Sequence, residues 1–314
     1  MTIKGIVENK IGYLSRLTAK YGNNELHEQR AVEIVISALL QGPDGLKGIQ
    51  YPVAYVQFLR SCFEPIRHVV ESVKEDTSAP DNSSNRFHTL IEMLEGGLPE
   101  VEFSLAQEIG LIVDQERANP KEFIFNQWTG DVGLHLSISS SFGNKGRILV
   151  NIIRFMRAQN CLEVGMAYGI SGLFILGALK SFSKGGHLTT IELMEPQFTI
   201  GSTILKREHS DAVSCHFGHT EKLLPEVTRA AGTIDFMFHD GGHSREDYIR
   251  DFNMVVDSLA PGAVVLFDDI RWVAPPNLFE GDPRTYEGWK AVIAHPRVRR
   301  AVEVDSQFGL FQVR

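Results

Sequence analysis

Cysteine is scarce: the three residues in 314, Cys62, Cys161 and Cys215, stand far apart. That spacing suits neither a disulfide scaffold nor the close cysteine pairs of a structural zinc site, so they read as ordinary thiols. Long apolar runs are missing too. Nothing approaches the ~18 consecutive apolar residues of a membrane span. The opening MTIKGIVENKIGYLSRLTAK is broken by Lys, Glu, Asn and Arg, unlike the continuous apolar core of a secretory signal. A soluble chain in the cytoplasm, with no membrane partner, is the expectation. Basic residues are not in excess either. The 31 Lys and Arg are outnumbered by 39 Asp and Glu, for a net charge of -8, which argues against binding nucleic-acid phosphates and leaves small molecules as the expected partners. Internal repeats are also lacking.

What is present changes texture near residue 125. From about Asn24 to Asn119 the apolar residues recur at helical spacing, as in Val32, Val35 and Leu39 and again in Val53, Val56 and Leu59. Breaks fall at QGPDG (41–45), DTSAPDNSSN (76–85) and EGGLP (95–99). Four or five helices are therefore expected before residue 120, and residues 1–125 read as a helical region for packing, dimerisation or covering a site. A homodimer is a reasonable assembly for such apolar helices. From 126 to 314 the short runs NCLEVGM, HLTTIEL, AVSCHFG, IDFMFHD and AVVLFDDI alternate with helix-like stretches. This predicts an α/β domain, Rossmann-like, with a mostly parallel seven-stranded sheet. The strands are nearly all apolar until a polar residue appears at each C-terminal end, the edge where open α/β sheets bind ligands. AVEVDS and FGLFQVR, around Gln307, predict a closing antiparallel hairpin.

Three constellations carry the chemistry. The first strand runs through Glu163 into a turn with Gly165, Gly169, Ser171 and Gly172. Three residues separate Gly165 from Gly169, a longer loop than the G-x-G-x-x-G of dinucleotide enzymes, and one that suits an amino-acid moiety rather than a pyrophosphate. The next strand ends in Glu192, placed to accept hydrogen bonds from a ribose diol. The third comprises Asp240 and His243 at the end of IDFMF, followed 28 positions after Asp240 by Asp268 and Asp269 at the end of AVVLF. A strand-helix-strand connection sets those two strand ends side by side. Three close carboxylates repel one another, which a divalent cation such as Mg²⁺ would relieve; alternatively they cap helices or pair with Arg245 or Arg271. His243 stands near enough to take a proton from a substrate hydroxyl, or to ligate the metal instead.

These residues resemble the class I S-adenosylmethionine-dependent O-methyltransferases of the metal-dependent, catechol O-methyltransferase-like type, over about residues 140–314. The resemblance implies cofactor contacts at Glu163, Gly165, Gly169, Ser171, Glu192 and Asp240. It adds an adenine-side turn, Gly218-His219-Thr220-Glu221, with Thr220 as a contact, and metal ligands at Asp240, Asp268 and Asp269. SFGNKGRIL (141–149) is similar to the segment that brushes the cofactor in that family. Many members carry a lysine three residues after the first metal aspartate; here that place is His243, as in a bacterial branch that tailors natural products. The long N-terminal region has no counterpart in the small catechol enzymes.

The function so implied is methyl transfer to a small-molecule hydroxyl, with a natural-product acceptor implied by the branch and His243 and Asp240 at the reaction centre. The loop after Asp269, with Trp272, Pro275, Pro276 and Phe279, is expected to wall the acceptor. Two rivals remain: an NAD-type oxidoreductase, disfavoured by the glycine spacing, and a non-catalytic cofactor-binding module.

Overall fold

The computed structural model describes residues 69–74, 82–95, 122–125, 128–131, 144–271, 284–304 and 307–314, with single residues at 105, 108, 109 and 112. The expected acceptor wall (Trp272, Pro275, Pro276, Phe279) and helices before residue 68 lie outside the described residues.

In chain order the elements are β1 (Val69–Lys74), α1 (Asn82–Glu95), β2 (Glu122–Phe125), β3 (Trp128–Asp131), α2 (Asn144–Met156), β4 (Asn160–Val164), α3 (Ile170–Phe182), β5 (His187–Glu192), α4 (Glu195–His209), β6 (Val213–Phe217), α5 (Thr220–Ala231), β7 (Ile234–His239), α6 (Arg245–Val255), β8 (Leu259–Phe267), α7 (Thr285–Ala294), β9 (Val298–Val304) and β10 (Phe308–Val313). β2 and β3 form a separate hairpin. The main sheet runs β1-β9-β10-β8-β7-β4-β5-β6. The pairs among β4, β5, β6, β7 and β8 are parallel, while β10 joins β8 and β9 antiparallel.

The seven strands from β4 to β10 have the expected mostly parallel, Rossmann-like arrangement with its antiparallel ending. The helical reading of residues 1–125 fails at two described places, one of them Glu122–Phe125, which form β2. Residues 69–74 fall within the region read as helical, yet they form β1, an eighth strand, paired antiparallel with β9 through Val69 opposite Val304. VVESVK is half β-branched valine, and β9, more than 220 residues away, supplies a ladder that local periodicity cannot reveal. α1, by contrast, is a helix as expected and ends at Glu95, where Gly96 and Gly97 follow.

The core has two layers, one on each face of the sheet. α2, α3 and α4 cover one face with Ile148, Ile152, Leu173, Phe174 and Leu205, and Phe87, Leu90 and Leu94 of α1 join that layer. α5, α6 and α7 cover the other with Leu224, Tyr248, Phe252 and Trp289. Strands β4 and β7, buried on both faces, can therefore be apolar almost throughout. No described helix is long and apolar enough to cross a membrane.

After β4 the chain adds β5 and β6 on one side, then returns to lay β7 and β8 on the other. The reversal lies between β4 and β7, so helices and loops diverge above their C-terminal ends and leave a crevice. Gly165 follows β4 and Asp240 follows β7; the topology alone sets the two motifs against each other.

Candidate active site

The glycine turn is built against the acid cluster. Gly165 has φ +89°, in the left-handed region, and a Cβ there would stand 2.1 Å from the backbone oxygen of Asp240. Only glycine fits both conditions. The amides of Gly165 and Met166 donate to the Ile191 carbonyl at 3.0 and 3.1 Å, and the Asp240 amide donates to Val164 at 2.8 Å. Ala167 is also left-handed, at φ +44°, a conformation that costs roughly 1–2 kcal/mol for a residue with a Cβ. Its amide donates to Glu192 Oε2 at 2.7 Å, while Glu192 Oε1 accepts from the Met194 amide at 2.7 Å. Glu192 therefore fastens the turn. Burial raises its pKa, against the lowering effect of those amide bonds. Gly169 then opens α3 with no side chain capping the helix amides, leaving donors available to an anionic group.

Glu163 and Ser171 sit below this turn, facing each other. Glu163 is fully buried on β4; its Oε2 accepts from Thr190 Oγ1 at 2.6 Å, and Ser171 also hydrogen-bonds to it. Its other oxygen, Oε1, is buried without a hydrogen-bond partner. Burial pushes the carboxyl up to about 7, with the two hydroxyls pulling the other way. An acid whose folded pKa is raised binds its proton more tightly when folded, so its stability contribution holds at low pH and fades as pH rises towards 7. Glu163→Gln should remove that loss. Its unfolding free energy relative to the parent should rise between pH 5 and pH 8 by an amount on the order of 3 kcal/mol, checked by urea titrations at both pH values; an unchanged difference would refute the buried-acid account.

Thr220, at the start of α5, is tied to α6. Its hydroxyl donates to Asp251 Oδ1 at 3.0 Å and accepts from Arg250 at 3.0 Å. Asp251 Oδ2 meets His239 Nε2 at 3.1 Å, and the His239 ring stacks on Phe267 at 4.7 Å. A polar network thus ties the Gly218–Glu221 turn to the last residue of β7. Phe217 and Leu193 are the large exposed apolar side chains among the described residues, and they flank the ends of β6 and β5.

The acids do gather at the ends of β7 and β8, with an arrangement that spacing did not foretell. Asp268 is fully buried; its Oδ1 accepts from Gln307 Nε2 at 2.7 Å and from the Asp269 amide at 2.8 Å. Its Oδ2 pairs with the ammonium of Lys145, which also reaches Asp240 Oδ2 at 2.8 Å. Asp269 has φ +54°, and this left-handed step turns it away from its neighbour. His243 Nε2 lies 3.6 Å from Asp240 Oδ1 and 3.7 Å from Asp269 Oδ2. Asp240, His243 and Asp269 offer ligand atoms within 4.8 Å of one another. Asp240 belongs to both groups, one oxygen towards Lys145 and the other towards His243. The Tyr248 hydroxyl donates to the Asp268 carbonyl and steadies this corner. The alternative arginine partners are engaged elsewhere: Arg271 with Glu303 and Arg245 with Glu246.

Lys145, the second residue of α2, is the site residue that the motif reading missed, although SFGNKGRIL was noted. The electrostatics follow from these contacts. Desolvation opposes the charge on Lys145, but Asp240, Asp268 and Asp269 outweigh it and hold the amine protonated well above its ordinary range. Desolvation and repulsion from Asp268 and Asp269 push Asp240 well up, with Lys145 opposing. His243 is pushed down by burial against the pull of Asp269 and Asp268, so near neutral pH its imidazole is uncharged and able to accept a proton.

The doubly wound sheet closes with an antiparallel hairpin, and the glycine turn and the strand-end acids share its C-terminal edge. Residues 162–270 match the family described as a methyltransferase domain. The chain is similar to caffeoyl-CoA O-methyltransferase of Medicago sativa, 22% identical over 149 residues, covering 45% of this chain and 58% of the relative. It is likewise similar to caffeoyl-CoA O-methyltransferase 1 of Arabidopsis thaliana, 23% identical over 176 residues, 52% of this chain and 66% of that one. The chain thus spans about three fifths to two thirds of the length of these curated relatives. Among solved structures, a Podospora anserina methyltransferase bound to S-adenosylhomocysteine aligns with a TM-score of 0.50 at 15% identity, covering 76% of this chain and 99% of that chain, a likeness of fold.

Proposed function

We propose that this protein transfers a methyl group from S-adenosylmethionine to a hydroxyl of a small-molecule acceptor, at a site that takes a divalent cation. The observation that supports this most is the direct contact between the Gly165 turn and Asp240: the cofactor cradle and the acid cluster share one wall.

The residues suit both missing groups. The uncapped start of α3 suits a carboxylate, Glu192 suits a ribose diol, and the exposed Phe217 and Leu193 suit an apolar ring. Asp240, His243 and Asp269 form an oxygen-rich set with one imidazole, suited to Mg²⁺ or Mn²⁺, and Asp268 stands behind them against Lys145. When bound, the cofactor supplies an electrophilic sulfonium methyl and the cation a Lewis acid that lowers the pKa of a coordinated hydroxyl. The protein's own contribution is position: the turn fixes the donor side, Asp240 and Asp269 fix the acceptor side, and the gap between them sets the in-line approach. Where Asp240 and Asp269 hold the ion without it, His243, neutral and within 3.7 Å of both acids, is free to accept the hydroxyl proton; as a ligand it would not be. The resemblance to a natural-product-tailoring branch at His243 supports a natural-product hydroxyl as acceptor.

The test is transfer of labelled methyl from S-adenosylmethionine to a panel of phenols and sugar hydroxyls, with and without EDTA. Label should appear in an acceptor and vanish with chelator; transfer at full rate in EDTA would remove the cation from the reading. Glu192→Gln supplies an independent check. A carboxylate accepts from both the Ala167 and Met194 amides, whereas a carboxamide presents an NH₂ to one of them. Affinity for S-adenosylhomocysteine should fall by about 10- to 100-fold, roughly the loss expected on leaving one or two buried donors unpaired, measured by calorimetry; unchanged affinity would mean that the turn does not depend on this acid.

A further inference from the structure

The acid cluster already contains a cation. Lys145 is fixed near the first turn of α2, its Nζ lies 2.8 Å from Asp240 Oδ2, and it pairs with the fully buried Asp268. Phe238 lies beneath the ammonium, 6.0 Å from its ring centroid. The oxygen of Asp240 that is not given to the lysine faces His243 and, with Asp269, makes up the group able to hold an ion. Any ion in that group would share a carboxylate with Lys145, and two cations on one carboxylate repel each other at short range.

We propose that Lys145 is a resident counter-cation that competes with a divalent ion for the carboxylate of Asp240, so that the lysine sets how tightly the site holds metal. The proposal rests on the reading of Asp240, His243 and Asp269 as a cation site. The covalent tether gives the ammonium a high local concentration that no free ion has. Its single charge offsets part of the negative charge of Asp240 and Asp268, which with Asp269 would otherwise stand as three close carboxylates without compensation. The ion enters either by displacing the amine or by binding beside it against the repulsion, and both routes weaken its affinity. The competition is specific to the lysine's charge, so an arginine should preserve it and a neutral side chain of similar length should abolish it.

The experiment is a titration of full-length protein with Mn²⁺ alone, the free ion followed by its electron paramagnetic resonance signal. Parent, Lys145→Met, Lys145→Gln, Lys145→Arg and Asp269→Asn are compared, with circular dichroism showing which variants are folded. The two neutral variants should bind Mn²⁺ at least about tenfold more tightly than the parent, since one unit charge is removed from beside a divalent ion. Lys145→Arg should stay close to the parent and Asp269→Asn should lose the site. Equal or weaker binding by a folded neutral variant, with binding still lost in Asp269→Asn, would overturn the role of Lys145 and leave the cation site standing. Absence of Mn²⁺ binding in the parent and in every folded neutral variant would overturn both, and would place the failure in the cation reading itself.

Discussion

Gly165→Ala should weaken cofactor binding by about 100-fold or more. The substituted residue meets two separate obstacles. Its φ of +89° is costly for any residue with a Cβ, by about 1–2 kcal/mol. Its new methyl would also lie 2.1 Å from the Asp240 carbonyl oxygen and 2.5 Å from the carbon behind it, far inside van der Waals contact. Those atoms are backbone at the end of a buried strand, held by the Asp240 amide bond to Val164, so they cannot turn aside as a side-chain tip would. The turn must move instead, and the amide bonds from Gly165 and Met166 to Ile191 loosen with it. We expect a loss in S-adenosylhomocysteine affinity of about 100-fold or more, since about 2.7 kcal/mol of strain or lost contact suffices for that factor. Calorimetry measures it, and retention of parental affinity would show that the turn does not form the cofactor cradle.

The second large effect falls on Asp240, where activity and stability should part. Asp240→Asn keeps the size of the side chain but removes the one carboxylate that touches both Lys145 and the His243 group. Methyl transfer should drop by about 10³-fold or more, corresponding to roughly 4 kcal/mol of lost transition-state stabilisation. Stability should not follow. Burial and the neighbouring acids hold the Asp240 carboxyl well above its ordinary pKa. Its ionisation therefore opposes folding as pH rises above the unfolded value, and this cost is present at pH 8. Removing the charge relieves that cost while Lys145 keeps Asp268 as partner. The melting temperature at pH 8 should stay within about 3 °C of the parent or rise. Loss of activity accompanied by a steep fall in melting temperature would mean that Asp240 is a structural ion-pair residue, and the separation predicted here would be wrong.

Parallel strands β4, β5 and β7 were legible because they are buried along nearly their whole length, and β5, β7 and β8 lead into Glu192, Asp240 and Asp268 at the ligand-binding edge. Glu192, Asp240, Asp268 and Asp269 stood out for that reason, and the strand-helix-strand order placed the last three together. The division of labour between Asp268 and Asp269 was not legible. They are adjacent in the sequence, and only the left-handed step at Asp269 sends one towards Lys145 and Gln307 and the other towards His243. Lys145 itself gave no local signal, since its partners stand 95 or more residues away and no periodicity encodes a pairing of that range. Gln307 read as a turn residue of the closing hairpin, yet its amide holds Asp268. β1 went unread because a six-residue edge strand takes its conformation from β9, a partner supplied by the far end of the chain. Elements with strong local pattern were thus recovered, and contacts between distant residues, which decide the charge balance of the site, were not.

The most direct test of the central claim is a parallel calorimetric titration of the full chain with S-adenosylhomocysteine and with NADH. The account predicts saturable one-to-one binding of S-adenosylhomocysteine and no heat of binding for NADH. Binding of NADH without S-adenosylhomocysteine would contradict it, because the spacing of Gly165 and Gly169 would then be serving a pyrophosphate after all.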